Sequence, residues 1–207
     1  MLFDFQGLDN ASIEELQGSK IYTLDNFYAD PHEVLAYILK HPANPWKLWE
    51  KPSNNGIEFI DRRHNFEDAN VAPVVKAIAS HIGQEPVDNN VVTNCMNFKP
   101  SPFNDYQNCY WAPHTDLGYT ALIYLNEDYQ GPGTNLYEQL ESDPREGPEH
   151  FKPWRPRSRY RLLKCLEAKW NRLVLFDGKK FAHGMAVEDT NFFGQVTRIN
   201  QAVFCQD

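Results

Sequence analysis

The sequence predicts a mainly β protein with helices confined to its N-terminal part (α+β), and three observations carry that prediction. Eight short runs rich in β-branched and aromatic residues follow one another between residues 91 and 204, with no helical period between them. Turn clusters such as Gln130-Gly131-Pro132-Gly133 and Asp177-Gly178 separate the runs. Two amphipathic segments with helix start and stop signals precede them. Short strands at that density point to an antiparallel sandwich or barrel of jelly-roll type.

In chain order, Ile21–Phe27 reads as a strand. Asp30 is a good N-cap, Pro31 suits the first helical position, and Glu33 completes a variant capping box. Val34, Leu35, Ile38 and Leu39 then share a helical face. Residues Pro42–Asn65 read as loop, with a turn at Asn54-Asn55-Gly56 and a short strand over Gly56–Asp61. A second helix runs from about Val71 to Ile82, with Pro73 near its start, Val74, Val75, Ile78 and Ile82 as its stripe, and Gly83 ending it. The strands that follow are Val91–Phe98, Asn108–Pro113, Tyr119–Leu125, Thr134–Glu138, Tyr160–Ala168, Arg172–Phe176, Ala182–Val187 and Gln195–Phe204.

Composition narrows the function. The chain has 207 residues, 42% hydrophobic and 23% charged, which suits one domain over 1–207. Residues 1–86 are expected to pack on a core formed by 87–207, which an insertion at about 139–159 interrupts. Twenty Lys+Arg against twenty-eight Asp+Glu give a net charge of −8, which argues against a nucleic-acid partner. No apolar run is long enough for a membrane span, and the N-terminus lacks the charge and hydrophobic pattern of a secretory signal, so the expectation is a cytoplasmic protein with no membrane partner. Cys95, Cys109, Cys165 and Cys205 show no CxxC or zinc spacing and read as reduced thiols, Cys95 and Cys205 as core residues.

The insertion, Gln139–Arg159, is polar and proline-punctuated, and with the next strand it is basic: Lys152, Arg155, Arg157, Arg159, Arg161 and Lys164. These charges either meet the acidic remainder of the protein or form a rim that steers an anionic substrate.

The chemistry concentrates in Trp111-Ala112-Pro113-His114-Thr115-Asp116. In an extended segment His114 and Asp116 project to the same side. His183 follows at the start of a strand after a turn, and two histidines with one carboxylate form the open-faced set used by non-haem Fe(II) oxygenases. On the last strand Arg198, Asn200, Ala202 and Phe204 share one face, while Ile199, Gln201 and Val203 share the other. An arginine there is costly to bury unless a carboxylate meets its planar guanidinium. His150 and His64 compete as third ligand but fall outside predicted strands, and His32, His41 and His81 read as structural. Phe103, Tyr106, Tyr110 and Trp111 either line the site or are core.

His114-x-Asp116, His183 and Arg198, with Trp111 three residues before the first ligand, TALIYLN, Gly131-Pro132-Gly133-Thr134 and YTLDNFYADPHEVL, together resemble the Fe(II)/2-oxoglutarate-dependent dioxygenase superfamily, in particular its prolyl-hydroxylase-like branch. The resemblance covers about Val91–Phe204 and implies a double-stranded β-helix. It implies that His114, Asp116 and His183 hold Fe(II) and that Arg198 clamps the distal carboxylate of 2-oxoglutarate. Asn200, Tyr124 and Asn97 are further candidates around that carboxylate. It implies a hydroxylase that couples dioxygen and 2-oxoglutarate, giving succinate and carbon dioxide, to oxidation of a small-molecule or peptide substrate, with ascorbate as an accessory reductant. Asp116 in place of a glycine leaves no ligand position for halide, which favours hydroxylation over halogenation. Two rivals are a cupin-like metalloenzyme without a keto acid, which usually carries a His-x-His absent here, and a non-catalytic jelly-roll module.

Overall fold

The computed structural model describes residues 3–40, 47–49, 59–66, 71–87, 91–98, 107–141, 154–188 and 198–206, with backbone alone for 47–49, 59–66, 94–98 and 154. Two sheets face each other. The larger runs β1 (Ser12–Leu16), β2 (Ser19–Leu24), β12 (Arg172–Asp177), β8 (Tyr119–Tyr124), β14 (Arg198–Gln206), β6 (Val91–Phe98), β4 (Phe59–Phe66) and β3 (Lys47–Trp49), and the two-residue β5 (Glu85–Pro86) pairs with β14. The smaller runs β11 (Tyr160–Ala168), β9 (Gly131–Gln139) and β13 (Ala182–Met185), and a His114–His183 bridge extends it to the segment after β7 (Cys109–Trp111). From β6 to β14 the chain passes back and forth between the two sheets in antiparallel pairings, which is a jelly roll.

Alternation along the strands gives each face of the larger sheet its own core. Leu122, Tyr124, Val174, Phe176 and Ala202 point inward and pack on Leu136, Leu166 and Ala168 of the smaller sheet. Ile123, Leu125, Leu173, Leu175, Ile199 and Val203 point the other way, against α1 (Pro31–Lys40) and α2 (Ala72–Ile82). Val34, Ile38, Val74, Val75 and Ile78 anchor the helices there, each buried side chain contributing about 1.5–3 kcal/mol. The Glu33 amide donates to Asp30 Oδ1 at 2.9 Å, as the capping box requires. Gly83 ends α2 in the left-handed region, φ 68°, where its amide reaches the Ala79 and Ser80 carbonyls. The outer edges β1 and β11 are tied by Lys164 Nζ to Glu14 at 2.9 Å.

Several sequence expectations need correction. Pro42–Asn65, read as loop apart from a short strand over Gly56–Asp61, also contains β3, and the strand there is longer than expected: β4 runs eight residues from Phe59 to Phe66, paired with β6 throughout. Its sequence, FIDRRHNF, has low strand propensity, and the ladder to β6 overrides it. His64 is therefore on a strand. The irregular insertion contains β10 (Trp154–Pro156), paired with β7, and a 3-10 turn at Arg157–Arg159. β1 was invisible because its residues are almost all exposed, which leaves no alternation to read. Leu39 sits at the margin of its helical stripe and is 45% exposed. Residues 142–153, with His150 and Lys152, and His41, Phe103, Tyr106 and the Asn54-Asn55-Gly56 turn lie outside the described residues, as does the Cys95 side chain. Cys205 is buried against α2's side of the sheet.

Candidate metal centre

The site is built where the two sheets are stitched together beside β7. Ala112, just after β7, adopts φ 37°, a left-handed conformation that costs a non-glycine residue about 1–3 kcal/mol. That kink brings its carbonyl to 2.9 Å from His114 Nδ1. Beyond it the backbone re-enters pairing: His114 N–H donates to His183 O at 3.0 Å, and His183 N–H returns a bond to His114 O at 2.8 Å. The two residues are direct antiparallel partners, so their rings project from the same face, with centroids 4.5 Å apart. No side chain at position 184 could pass this crossing, because a Cβ there would lie 2.3 Å from the Trp111 carbonyl oxygen.

His183 is buried; its Nδ1 faces the Phe181 carbonyl at 3.1 Å and its ring edge meets Phe176 at 4.9 Å. With Nδ1–H given to a carbonyl in both histidines, Nε2 carries the lone pair of each neutral ring. Asp116 completes the group: Oδ2 is 3.1 Å from His183 Nε2 and Oδ1 is 3.9 Å from His114 Nε2. The three residues offer ligand atoms within 4.8 Å of one another. Cis ligands about 2.1 Å from an octahedral metal stand about 3 Å apart, so the His183–Asp116 spacing fits a common cation. His114 is exposed on one side, which leaves an open face.

Asp116 is anchored on three sides. Its amide donates to Gly178 O at 2.8 Å, Thr120 Oγ1–H donates to its Oδ2, and both imidazoles face it. Burial pushes its carboxyl upward, but when the two imidazoles are protonated the hydrogen bond and charge of His183, the charge of His114 and the Thr120 hydroxyl outweigh that and hold it below the usual carboxylate range. In the sequence Thr120 reads only as the start of the TALIYLN run and Gly178 only as part of a turn. A Thr four residues after an Asp is too common a spacing to signal a contact.

Arg198 lies on the inward face of β14, in line with Asn200 and Ala202, and is 7% exposed. Its Nη2 donates to Gly133 O at 2.8 Å and its guanidinium lies 5.9 Å from the Tyr124 ring centroid. Among the described residues no carboxylate pairs with it. Burial pulls its pKa down. Tyr124 is buried next to it and donates to Thr134 Oγ1 at 2.9 Å; burial holds its phenol up at about 12. Asn200 is buried opposite Tyr124 in the ladder. Asn97 pairs with Ile60, one residue out of register with Met96, the partner of Arg198, and its side chain lies outside the described residues.

The remaining candidates fall elsewhere. The Tyr110 ring lies 4.5 Å from that of Tyr137, tilted by 45°, and Tyr137 shares a face with Ala182 and so projects away from His183. Arg157 lies over the Tyr110 ring at 4.8 Å on that outer side. Three of the six basic residues meet acids among the described residues: Arg161 with Glu138, Arg159 with Glu141 and Lys164 with Glu14. His32 and His81 lie on the helices, near Glu127 and Asp9.

No protein-family model and no curated protein matches the sequence. Solved structures do match in fold. The E. coli protein ycfD superposes with a TM-score of 0.50 at 11% identity, covering 90% of this chain and 50% of its own, so this chain spans half its length. The non-heme alpha-ketoglutarate-dependent epimerase SnoN from nogalamycin biosynthesis superposes at 0.50 with 12% identity, over 90% of this chain and 78% of that one. An oxidoreductase of the 2OG-Fe(II) oxygenase family from Burkholderia pseudomallei gives 0.49 and 12%, over 90% and 84%.

Proposed function

We propose that this protein is an Fe(II)- and 2-oxoglutarate-dependent oxygenase, acting as a hydroxylase. The observation that carries the reading is a buried arginine with no acidic partner among the described residues, placed on the interior face of the same jelly roll that gathers two histidines and an aspartate. Burying an unpaired cation is expensive, so a site that keeps one is built for an anion that arrives later. A diacid that grips Arg198 with one end and a metal with the other satisfies both halves.

His114, Asp116 and His183 are the residues that would hold the iron, which, when bound, supplies the activation of dioxygen. The backbone carbonyls of Ala112 and Phe181 keep each Nδ1 protonated, so that the lone pair of each neutral ring is on Nε2, the atom that would coordinate. The Thr120 hydroxyl favours the charged form of the Asp116 carboxylate, the form that binds a cation. Arg198 orients the keto acid through two parallel hydrogen bonds to its distal carboxylate, and its bond to Gly133 O fixes the guanidinium plane. Tyr124 and Asn200 flank that carboxylate. Leu136, Phe176 and Phe181 exclude water on the inner side.

The described neighbour with an epimerase activity shows that this fold also serves outcomes other than hydroxylation, and fold alone does not choose between them. The substrate is proposed to be a small molecule or peptide. The test is anaerobic addition of Fe(II) and 2-oxoglutarate, which should give a weak visible charge-transfer band and, in air, succinate. A metal-replete protein without the band would remove the reading.

A further inference from the structure

Resting on the metal reading above, we infer that Thr120 is a positioning residue for the Asp116 carboxylate, and that Gly178 is glycine because any side chain there would break that contact. Thr120 is 1% exposed, so its hydroxyl needs a protein acceptor, and the one it has is Asp116 Oδ2. A carboxylate on a single Cβ–Cγ bond is otherwise free to rotate, presenting one oxygen, the other, or both to a cation. The Thr120 hydroxyl takes one lone pair of Oδ2 and so fixes the carboxylate plane before any metal is present.

Gly178 enforces the arrangement from the other side. Its carbonyl accepts the Asp116 amide at 2.8 Å, and a Cβ on it would lie 2.5 Å from Thr120 Oγ1, 3.0 Å from Gly118 O and 3.2 Å from Asp116 Cβ. Its φ does not call for glycine; only the closeness does. The turn between β12 and β13 thus clasps the Asp116–Thr120 segment by a backbone bond and leaves room for one hydroxyl.

The experiment is Mn(II) affinity of the full chain, read by the free-ion signal in electron paramagnetic resonance, together with the melting temperature of the metal-free protein. Thr120→Val should weaken Mn(II) binding about 10–100-fold, the usual cost of removing a partner that orients a ligand. Thr120→Ser should restore it, because the hydroxyl and not the methyl acts. Gly178→Ala should weaken binding like Thr120→Val, and the double variant should be no weaker than the worse single, since both break one contact. If Thr120→Val does not fold, Thr120→Ala carries the same comparison. Wild-type affinity in the hydroxyl-free variants, or a Thr120→Ser variant as weak as the valine, overturns the inference while leaving the metal site standing. A wild-type protein that binds no Mn(II) overturns both.

Discussion

His183 Nε2 stands 3.1 Å from Asp116 Oδ2, although the His183 Nδ1 is already engaged with the Phe181 carbonyl. A neutral imidazole in that state has no proton on Nε2, so two lone pairs would face each other across the gap. The contact is attractive only with a proton or a metal ion between the two atoms. His183→Ala and Asp116→Ala should therefore each abolish succinate formation and weaken divalent-metal binding by more than about 100-fold, beyond the loss expected for any residue behind them. Equilibrium dialysis with Mn(II) measures this; tight binding by either variant would exclude that residue as a ligand.

Metal should also stabilise the fold, because the ligands come from separate elements. Asp116 and His114 precede β8 and His183 sits on β13, and the unfolded chain cannot gather them. At a free concentration about 100 times the dissociation constant, linkage gives about 2.7 kcal/mol. For a chain of this size that is a rise of roughly 5–11 °C in melting temperature. Anaerobic thermal melts with Mn(II), reversed by a chelator, read it directly.

The sequence carried the jelly roll because its strands, buried between sheet and sheet or sheet and helix, are β-branched and aromatic, and because turns punctuate them. It carried His114, Asp116 and His183 because two of the three are two residues apart on an extended segment. What stayed hidden follows from physics that a single sequence does not record. β4 is held by pairing and not by propensity, β1 is exposed, and Thr120 meets Asp116 in a space that the missing side chain of Gly178 leaves open. Tyr110, which the sequence left open between the site and the core, packs beside Tyr137 on the other side of the sheet from His183.

Asp25 should mark the acid limb of stability. Arg172 grips it with Nε to Oδ1 at 2.6 Å and Nη2 to Oδ2 at 3.1 Å, and Lys169 adds a contact at 2.8 Å. These bonds lower its pKa from 3.8 to about 2. A folded-state pKa below the unfolded value gives stability that is fully present above the unfolded value and is lost as pH falls between about 4 and 2. The side chains are partly exposed, so screening reduces the contribution to about 1 kcal/mol. Asp25→Asn should flatten denaturation midpoints across that window; an unchanged acid limb would assign it to other carboxylates.

Gly184→Ala should be among the most damaging single-methyl changes. Its Cβ would meet the backbone oxygen of Trp111 at 2.3 Å, and no rotamer relieves a clash with backbone. The strand carrying His183 would have to part from the one leading to His114, costing about 1–3 kcal/mol and the metal site together. Gly7→Ala, with nothing within 4 Å of its Cβ, is the matched control and should be near neutral. Urea midpoints for the two variants decide it.

Arg198→Met separates binding from folding. The guanidinium is 7% exposed and has no acid partner among the described residues, so the ligand-free protein carries the cost of its desolvation. Methionine fills similar volume without charge, and the ligand-free variant should be as stable as the wild type or more so. Its requirement for 2-oxoglutarate should nonetheless rise, because truncating one side of a buried charged pair costs about 2–5 kcal/mol, or roughly 30-fold to several thousand-fold. Mn(II) affinity should hold, since Arg198 touches none of the three ligands. A variant that melts far below the wild type would mean that Arg198 is a structural strut, and an unchanged 2-oxoglutarate requirement would place the diacid's anchor on another cation.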